Sequence, residues 1–405
     1  MGDIMLTMTS TGHAAADSQQ GPTEGQDRDH RTARATVPLT MGVEEEYLLV
    51  DPVSRAVAPE AEKVLAEAVG ELGDQITPEI TRYQIEARSA PHTSLAELGE
   101  QVRSTRTALA RVAARQGLRI VSSGTPVFGQ AAPTPLSPGA RYARSAERFG
   151  ALDDEQSACA CHVHIGVPGL SEALRVSNHL RPWIPALIAL TANSPYWAGQ
   201  DTGHASWRTT TWGRWPVAGP PPYFESAGHF EDLVGGFLAT GVLMDRGGLY
   251  WDIRPSHHLP TLEFRMADAT TTADETVLLA GLVRAMVATA LRAVEAGEPA
   301  PRPASELLRA ACWRAARVGL AGEGIDVRTG RLAPGTAMIG RLLAWVGPAL
   351  LEHGDTELVH ALWTRVETAG TGADRQRAAY RHRAELADVV DHLITATAPL
   401  PGERR

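Results

Sequence analysis

MGVEEEYLLVDP, residues 41–52, reads as a β-strand followed by a turn. Side chains alternate between the two faces of a strand, so Glu44 and Glu46 share one face while Val43 and Tyr47 share the other. Two desolvated carboxylates on one face repel each other, and a divalent cation between them relieves the repulsion. The stretch therefore predicts an acidic strand that binds metal, with a solvated edge strand as the alternative.

A second strand, over residues 158–167, carries histidines in the same alternation. Its core CACHVHIG places His162 and His164 on one face and both cysteines on the other, where small hydrophobic side chains pack. The parity predicts a buried cysteine pair behind a histidine pair. Two histidines at i and i+2 beside a glycine are hard to explain by packing, so they indicate ligands.

Two further strands repeat the pattern of one apolar and one charged face. TLEFRM places Glu263 and Arg265 together, which favours a phosphate clamp by the arginine beside a metal carboxylate, although a surface ion pair has the same pattern. QIEAR, residues 84–88, places Glu86 opposite its apolar neighbours, and Glu79 lies seven residues earlier.

The periodicity of the whole chain predicts an α+β protein with an antiparallel sheet, since strands alternate irregularly with helices and the chain is almost wholly helical from about residue 274. Strands are expected near 43–50, 82–90, 118–122, 158–167, 249–254 and 260–266, and helices near 94–115, 171–191 and 228–240. Residues 1–38 are predicted to be a disordered leader, 39–398 a single domain and 399–405 a tail. Residues 125–156 read as rich in loops, and the Trp- and Arg-rich segment 193–222 reads as an irregular cover over a site.

Composition excludes several classes of function. The formal charge of −9 among 405 residues argues against a nucleic-acid partner, and no apolar run is long enough to predict a membrane span. Lys63 is the only lysine, which excludes a GxxxxGK[ST] phosphate loop, so that any phosphates must be held by arginine and metal. Three cysteines and the absence of a signal-peptide pattern predict a cytoplasmic location.

Seven motifs together resemble the glutamate-cysteine ligase type 2 family of carboxylate-amine ligases, in the right order from about residue 40 to 395. They are MGVEEEYLLVDP, QIEARSAPHTS, CACHVHIGV, NSPYWAGQDTGHASWRTTTWGRWP, YWDIRPS, LEFRMADA and GTGADRQRAAY. The family is related to glutamine synthetase, so the resemblance implies a curved antiparallel sheet with helices on one face, a helical C-terminal region, and ATP and metal on the concave face.

The resemblance also implies a role for individual residues. The metal ligands would be Glu44, Glu46, Glu86, His162 and Glu263, with Glu79 as an additional candidate, and the catalytic residues would be Glu263 and Arg265. ATP would be contacted by His164, Arg254 and Arg265, and the substrates by Arg208, Trp212, Arg214 and Asp252.

The implied reaction is ATP- and Mg²⁺-dependent amide formation through an acyl phosphate, and a histidine ligand would tolerate Mn²⁺ as well. Small carboxylate and amine substrates such as glutamate, cysteine or analogues are implied, with weak glutamate-cysteine ligase activity. The resemblance is compatible with a homodimer and involves neither nucleic acid nor membrane.

Two other classes share these residues. A zinc or two-metal hydrolase could activate water with His162, His164, His257 or His258 beside Glu263, although the last two histidines read as a solvated turn. A non-catalytic protein that keeps the fold as a binding module is the other alternative. Retention of every acidic and histidine position speaks against it.

Overall fold

The computed structural model describes residues 39–155 and 157–400, so the predicted leader and residues 401–405 of the predicted tail lie outside the described residues. The strands are β1 Met41–Val50, β2 Ile76–Pro78, β3 Gln84–Arg88, β4 Arg119–Val121, β5 Cys161–Gly166, β6 Tyr196–Trp197, β7 Gln200–Asp201, β8 Ala218–Gly219, β9 Tyr250–Trp251, β10 Ile253–Pro255, β11 Thr261–Phe264, β12 Glu323–Asp326 and β13 Arg331–Pro334. The helices are α1 Ala61–Leu72, α2 Leu95–Arg115, α3 Ala140–Phe149, α4 Ala151–Asp154, α5 Leu170–Leu180, α6 Ile184–Leu190, α7 Trp207–Trp212, α8 Ala227–Ala239, α9 Ala273–Glu295, α10 Ser305–Val318, α11 Gly335–His353, α12 Thr356–Ala369, α13 Gly372–Arg383 and α14 Leu386–Thr397. This α+β architecture with a helical C-terminal region confirms the predicted fold class.

One seven-stranded antiparallel sheet organises the chain. Its strand order is β10-β11-β5-β1-β3-β2, and β4 pairs with the far end of β1. The acidic strand β1 lies near the centre of the sheet, with β3 on one side and β5 and then β4 on the other. The solvated edge strand considered from the sequence is therefore excluded.

The apolar face of the sheet packs against helices. Val43, Val163 and Phe264, from three neighbouring strands, share a core with Leu278 and Leu282 of α9. Helix α9 is long and apolar enough to span a membrane, yet 78% of its most apolar stretch is buried. Its hydrophobic character therefore serves the core, and burial of this face leaves the opposite face of the sheet for charged side chains.

The two cysteines near β5 enter different cores. Cys161 lies in the strand and packs with the residues under α9, whereas Cys159 packs with Leu48 and Tyr83 on the other side. The expected cysteine pair behind the histidines is therefore wrong. The reason is that regular pairing of β5 begins only at Cys161, so the alternation of faces does not extend back to Cys159.

Helices replace part of the predicted irregular structure and break one predicted helix. Helices α3 and α4 form within the stretch 125–156, which was expected to be rich in loops. The helix expected over 171–191 is divided into α5, a single 3₁₀ turn and α6, because Pro182 and Pro185 each begin a new helical segment. The hairpin of β12 and β13 interrupts the helical C-terminal region.

Candidate active site

The charged side chains on the face of the sheet opposite α9 come from directly paired residues. Glu44 of β1 is opposite His162 of β5, and His164 of β5 is opposite Glu263 of β11. On the other side of β1, Glu46 is opposite Glu86 of β3. Directly opposed side chains project from the same face at short separation, so the register itself brings the site together.

Within the described ranges, two groups of potential metal ligands form on this face. One consists of Glu44, His164 and Glu263, and the other of Glu46, Glu79 and Glu86. The ligand atoms of each group all lie within 4.8 Å of one another. Because Glu44 and Glu46 are two residues apart on one strand, β1 contributes one carboxylate to each group. We call them the His164 cluster and the Glu86 cluster.

The Glu86 cluster is crowded with negative charge. Burial and the neighbouring Glu79 carboxylate raise the pKa of Glu46 to about 8. Burial and the Glu44, Glu79 and Glu46 carboxylates raise the pKa of Glu86 well above its ordinary value. Three converging carboxylates that resist ionisation are a donor set suited to a hard divalent cation, which would relieve their repulsion.

The histidines each leave one nitrogen available. His162 Nδ1 lies 3.2 Å from Glu44 Oε2, and His164 Nδ1 lies 3.0 Å from Thr261 Oγ1. The Nε2 atom of both rings is buried without a hydrogen-bond partner. For His164 that atom lies 3.5 Å from Glu44 Oε1 and 4.0 Å from Glu263 Oε1, so a ligand nitrogen faces two carboxylates.

The two imidazoles differ in electrostatic environment. Burial and the Arg265 charge lower the pKa of His162 to about 4, which keeps the ring neutral at physiological pH. Burial also disfavours the charged form of His164, but the nearby Glu44 and Glu263 carboxylates outweigh it and raise the pKa of this ring. His164, which the sequence assigned to the nucleotide, is thus the histidine grouped with two predicted metal ligands, whereas His162 lies beside Glu44 and Arg265. Both role assignments stay predictions.

Two arginines hold Glu263 in different ways. Arg254 donates from Nε to Glu263 Oε2 at 2.7 Å and from Nη1 to the carbonyls of Gly247 and Leu249, so its fork is largely occupied by the protein. Arg265 also donates to Glu263, but its buried Nε has no partner. Arg265 therefore keeps a donor for an anionic ligand, while a contact between Arg254 and ATP stays a prediction.

A cavity of about 160 Å³ opens beside these clusters, and we call it the acidic cavity. Its lining includes Glu46, Glu79, His162 and Arg265 from the sheet side, together with Arg141, Tyr142, Arg208, Trp212 and Tyr250 from the elements above it. Arg208 lies with its guanidinium carbon 5.6 Å from the Trp212 ring centre. Two residues predicted to bind substrate thus form one wall of the cavity.

A second cavity of about 330 Å³ lies on the other side of that wall. Trp212, Arg214, Asp252, Cys312 and Trp313 are among its lining residues, as is Arg208, and we call it the apolar cavity because apolar surface predominates in it. All four residues predicted to bind substrate line one or both cavities. The structure thus brings these four residues together around the two cavities, and their roles in binding substrate stay predictions.

Asp268 fixes the segment that carries Arg208 and Trp212. Its Oδ2 accepts from Asn193 N and Ser194 Oγ at 2.8 and 2.7 Å, and its Oδ1 accepts from Ser206 Oγ at 2.8 Å. Ser206 is also the N-cap of α7. The segment 193–222 is therefore anchored at its start rather than wholly irregular. Asp268 was not predicted as a site residue. It lies within the motif LEFRMADA, but no periodic pattern in the sequence marks it as an anchor.

Glu45 lies between Glu44 and Glu46, the two glutamates predicted to bind metal, but its side chain points to the helix-covered face of the sheet and has a structural role there. Its carboxylate binds the Arg106 guanidinium through two hydrogen bonds of 2.6 and 3.2 Å and accepts from Thr276 and Tyr47. Glu45 and Arg106 are 4% and 1% exposed. The alternation in MGVEEEY could have indicated that this carboxylate faces the core, but its arginine partner lies 61 residues away in sequence.

His257 and His258 lie outside both clusters. They are exposed in the turn after β10, with their ring centres 3.5 Å apart. Their predicted position in a solvated turn is confirmed. Lys63 is likewise exposed on α1, so the cationic groups that line the acidic cavity are arginines, as the sequence required.

Solved structures with similar architecture define the class of fold. A glutamate-cysteine ligase from Francisella tularensis, solved in complex with AMP, superposes with a TM-score of 0.65 over 89% of this chain and 88% of its own at 13% identity. A complex between the prokaryotic ubiquitin-like protein Pup and its ligase PafA gives 0.52 over 90% and 74% at 13% identity. At these identities the likeness concerns the fold.

Sequence comparison identifies the family. The family model for glutamate-cysteine ligase family 2 matches residues 40–392, and the chain belongs to that family. A Saccharopolyspora erythraea protein named "Putative glutamate--cysteine ligase 2-1" is 46% identical over 372 residues, covering 90% of this chain and 97% of the relative. A Frankia alni protein named "Putative glutamate--cysteine ligase 2-2" is 45% identical over 379 residues, covering 89% of this chain and 97% of the relative. The predicted family is confirmed, and with it the class of carboxylate-amine ligase.

Proposed function

We propose that this enzyme activates a small carboxylate with ATP as an acyl phosphate and transfers the acyl group to an amine. The observation that carries the proposal is the convergence of the His164 cluster and the Glu86 cluster on one sheet face, with Arg265 beside them. Phosphoryl transfer needs cations and arginine to disperse the charge of the transferring group. The two clusters offer ligands for cations on this face, and Arg265 supplies the arginine; Lys63, the only lysine, lies elsewhere on α1.

The donor sets fit two Mg²⁺ ions, with Mn²⁺ as a substitute. Carboxylate oxygens from three glutamates suit Mg²⁺ in the Glu86 cluster, and the imidazole in the His164 cluster also tolerates Mn²⁺. When bound, such ions would reduce the negative charge on the phosphate oxygens. The protein itself holds the ligands in place, since Arg254 orients Glu263 and the Ala160 backbone N–H donates to Glu46 Oε2 at 2.8 Å.

The reaction has two steps, phosphoryl transfer to the acid and then acyl transfer to the amine. A carboxylate oxygen of the acid forms a bond to the γ-phosphorus of ATP as the bond to ADP breaks, and Arg265 faces the charge that develops. The amine nitrogen then bonds to the acyl carbon, phosphate leaves with the C–O bond electrons, and the amine loses a proton. The walls of the acidic cavity limit access of water, whose attack on the acyl phosphate is the competing reaction.

Glutamate and cysteine are the substrates that the names of the relatives suggest for this chain. A γ-carboxylate of glutamate suits the acidic cavity once cations are bound, because Arg208 and Arg141 supply positive charge to its wall. The product would be γ-glutamylcysteine, and we expect weak activity in that reaction.

Hydroxylamine trapping tests the proposal without knowledge of the natural amine. Purified enzyme with ATP, Mg²⁺ and L-glutamate should release phosphate and form a hydroxamate when hydroxylamine is added. Glu263→Gln and Glu44→Gln should abolish hydroxamate formation, because each removes a charged ligand from the His164 cluster. The matched control is Glu100→Gln, an exposed glutamate on α2.

Circular dichroism and thermal unfolding must accompany the assay, so that loss of activity is separated from loss of fold. A folded wild-type enzyme that forms no hydroxamate from glutamate or from a panel of other carboxylic acids would overturn the ligase proposal. Product formation without ATP, together with stoichiometric zinc, would instead support the hydrolase alternative.

A further inference from the structure

The apolar cavity has the chemistry of a site for an organic amine. At about 330 Å³ it falls within the range of small-molecule pockets, roughly 300–1,000 Å³. Met266, Cys312 and Trp313 provide apolar surface, and Asp252 provides a carboxylate. Such sites combine apolar walls with a few polar groups that set orientation.

The environment of Asp252 is that of a carboxylate suited to bind a cationic ligand. It is 8% exposed, and its carboxylate forms no hydrogen bond or ion pair with any residue that the structure describes. Burial raises the pKa of Asp252 to about 7, although the charges of Arg208 and Arg265 oppose the change. A buried carboxylate without a partner is costly, and an ammonium group bound against it would remove that cost.

Other unpartnered polar atoms point to the same cavity. Arg208 Nε and Thr210 Oγ1 are buried without hydrogen-bond partners, and both residues line it. Arg309, exposed on α10, also lines it and forms no ion pair within residues 39–155 and 157–400. The cavity thus offers one carboxylate for an ammonium group and arginines for a carboxylate.

The size and walls of the cavity exceed what cysteine would fill. Burial and the Asp252 carboxylate raise the pKa of the Cys312 thiol well above its ordinary value, so this side chain acts as an apolar packing surface beside Asp252. Trp212 and Trp313 add aromatic surface. An aliphatic or aromatic side chain would bury against these groups, whereas a single methylene and sulfur would leave much of the space unfilled.

We propose that the apolar cavity binds the amine substrate as an α-amino acid with an apolar side chain larger than that of cysteine, with its ammonium group at Asp252 and its carboxylate at Arg309. The inference rests on the proposed ligase function. Because Arg208 and Trp212 line both cavities, an amine held here is adjacent to the acidic cavity in which the acyl phosphate would form.

The step at Asp252 is a proton transfer followed by acyl transfer. The Asp252 carboxylate takes a proton from the ammonium group, and the free nitrogen lone pair forms the C–N bond to the acyl carbon. The C–O bond to phosphate breaks, and phosphate leaves with its electron pair. A proton acceptor that titrates near neutrality suits this task.

The test compares amines in the presence of ATP, Mg²⁺ and L-glutamate, with hydroxylamine as the small reference amine. We expect kcat/KM for L-leucine or L-phenylalanine to exceed that for L-cysteine by about tenfold, as one or two buried methylene groups would give. Asp252→Asn should lower kcat/KM for the amino acid by about ten times more than for hydroxylamine, because a charge-assisted hydrogen bond is lost. Arg309→Ala should remove the preference for L-phenylalanine over 2-phenylethylamine.

The matched control is Arg317→Ala, since Arg317 is exposed two turns further along α10 and does not line the cavity. Effects of Asp252→Asn confined to the KM of glutamate or ATP would overturn the inference, as would a preference for cysteine over every larger amino acid. If no hydroxamate forms at all, the ligase proposal fails separately. Calorimetric titration with L-leucine then still tests the cavity, and equal binding by wild type and Asp252→Asn would reject it.

Discussion

Glu44 and His162 are directly opposite each other in the register of β1 and β5, and Glu44 Oε2 lies 3.2 Å from His162 Nδ1. Burial opposes ionisation of Glu44, but the hydrogen bond with His162 and the proximity of the His164 ring hold the pKa of this carboxyl well below its ordinary value. Arg265 Nη1, which can only donate, lies 3.5 Å from the same His162 Nδ1, so this nitrogen faces a carboxylate and a guanidinium. The backbone register thus fixes the position of a site histidine between two opposite charges.

Separate ligand clusters predict separable metal sites. We expect the wild-type protein to bind two Mn²⁺ ions, and Glu86→Gln and Glu263→Gln to bind one each, since each removes a ligand from a different cluster. Electron paramagnetic resonance titration of free Mn²⁺ without nucleotide measures the stoichiometry. Glu100→Gln should keep two ions. Loss of both ions in either variant would show a single shared site instead.

The ion pair of Glu45 and Arg106 predicts a large effect on stability. Arg106→Met should lower the free energy of unfolding by about 3–5 kcal/mol, because it leaves the buried Glu45 carboxylate without its charged partner. Urea unfolding followed by circular dichroism measures the change. Arg111 lies on α2 like Arg106 and forms an exposed ion pair with Glu71 of α1, so Arg111→Met should cost less than about 1 kcal/mol. Similar values for the two variants would contradict the assigned role of burial.

Local periodicity predicted the parts of the site that lie on single strands. Alternation in MGVEEEY and LEFR correctly placed Glu44 with Glu46 and Glu263 with Arg265, because strand parity is a property of the backbone itself. Helix α2 was also predicted closely, since a helix was expected near 94–115 and α2 spans Leu95–Arg115.

Features that depend on distant partners were not predictable in this way. The grouping of His164 with two carboxylates depends on the register between strands, and the contact of Arg106 with Glu45 depends on how α2 crosses the sheet. The hydrogen bonds of Asp268 join segments more than 60 residues apart, for which the sequence offers no local signal.

The raised pKa of Asp252 predicts how stability changes with pH. Because burial raises the pKa from 3.8 to about 7, the folded state binds more protons than the unfolded state between these values, and stability falls as pH rises through this window. Asp252→Asn lacks this titration, so the variant should gain stability relative to wild type from pH 5 to 8, by roughly 4 kcal/mol at most. Urea unfolding at four pH values in that range measures the difference. A constant difference would show that the carboxyl group is not perturbed.

The close approach of Gly372 to Asn193 predicts a steric effect at the anchor of segment 193–222. A Cβ atom on Gly372 would lie 2.0 Å from Asn193 Oδ1, which also accepts hydrogen bonds from Thr271 and Gln376. Gly372→Ala should therefore lower the free energy of unfolding by about 2 kcal/mol or more, although Thr371 still caps α13.

Gly340→Ala in α11 is the matched control, because a Cβ there meets nothing within 4 Å and alanine favours a helix by about 1 kcal/mol over glycine. Opposite signs for the two substitutions, measured by thermal unfolding, would identify the contact with Asn193 as the cause. Since Asn193 begins the segment that carries Arg208 and Trp212 into both cavities, Gly372→Ala should also raise the KM for the substrates, whereas Gly340→Ala should not.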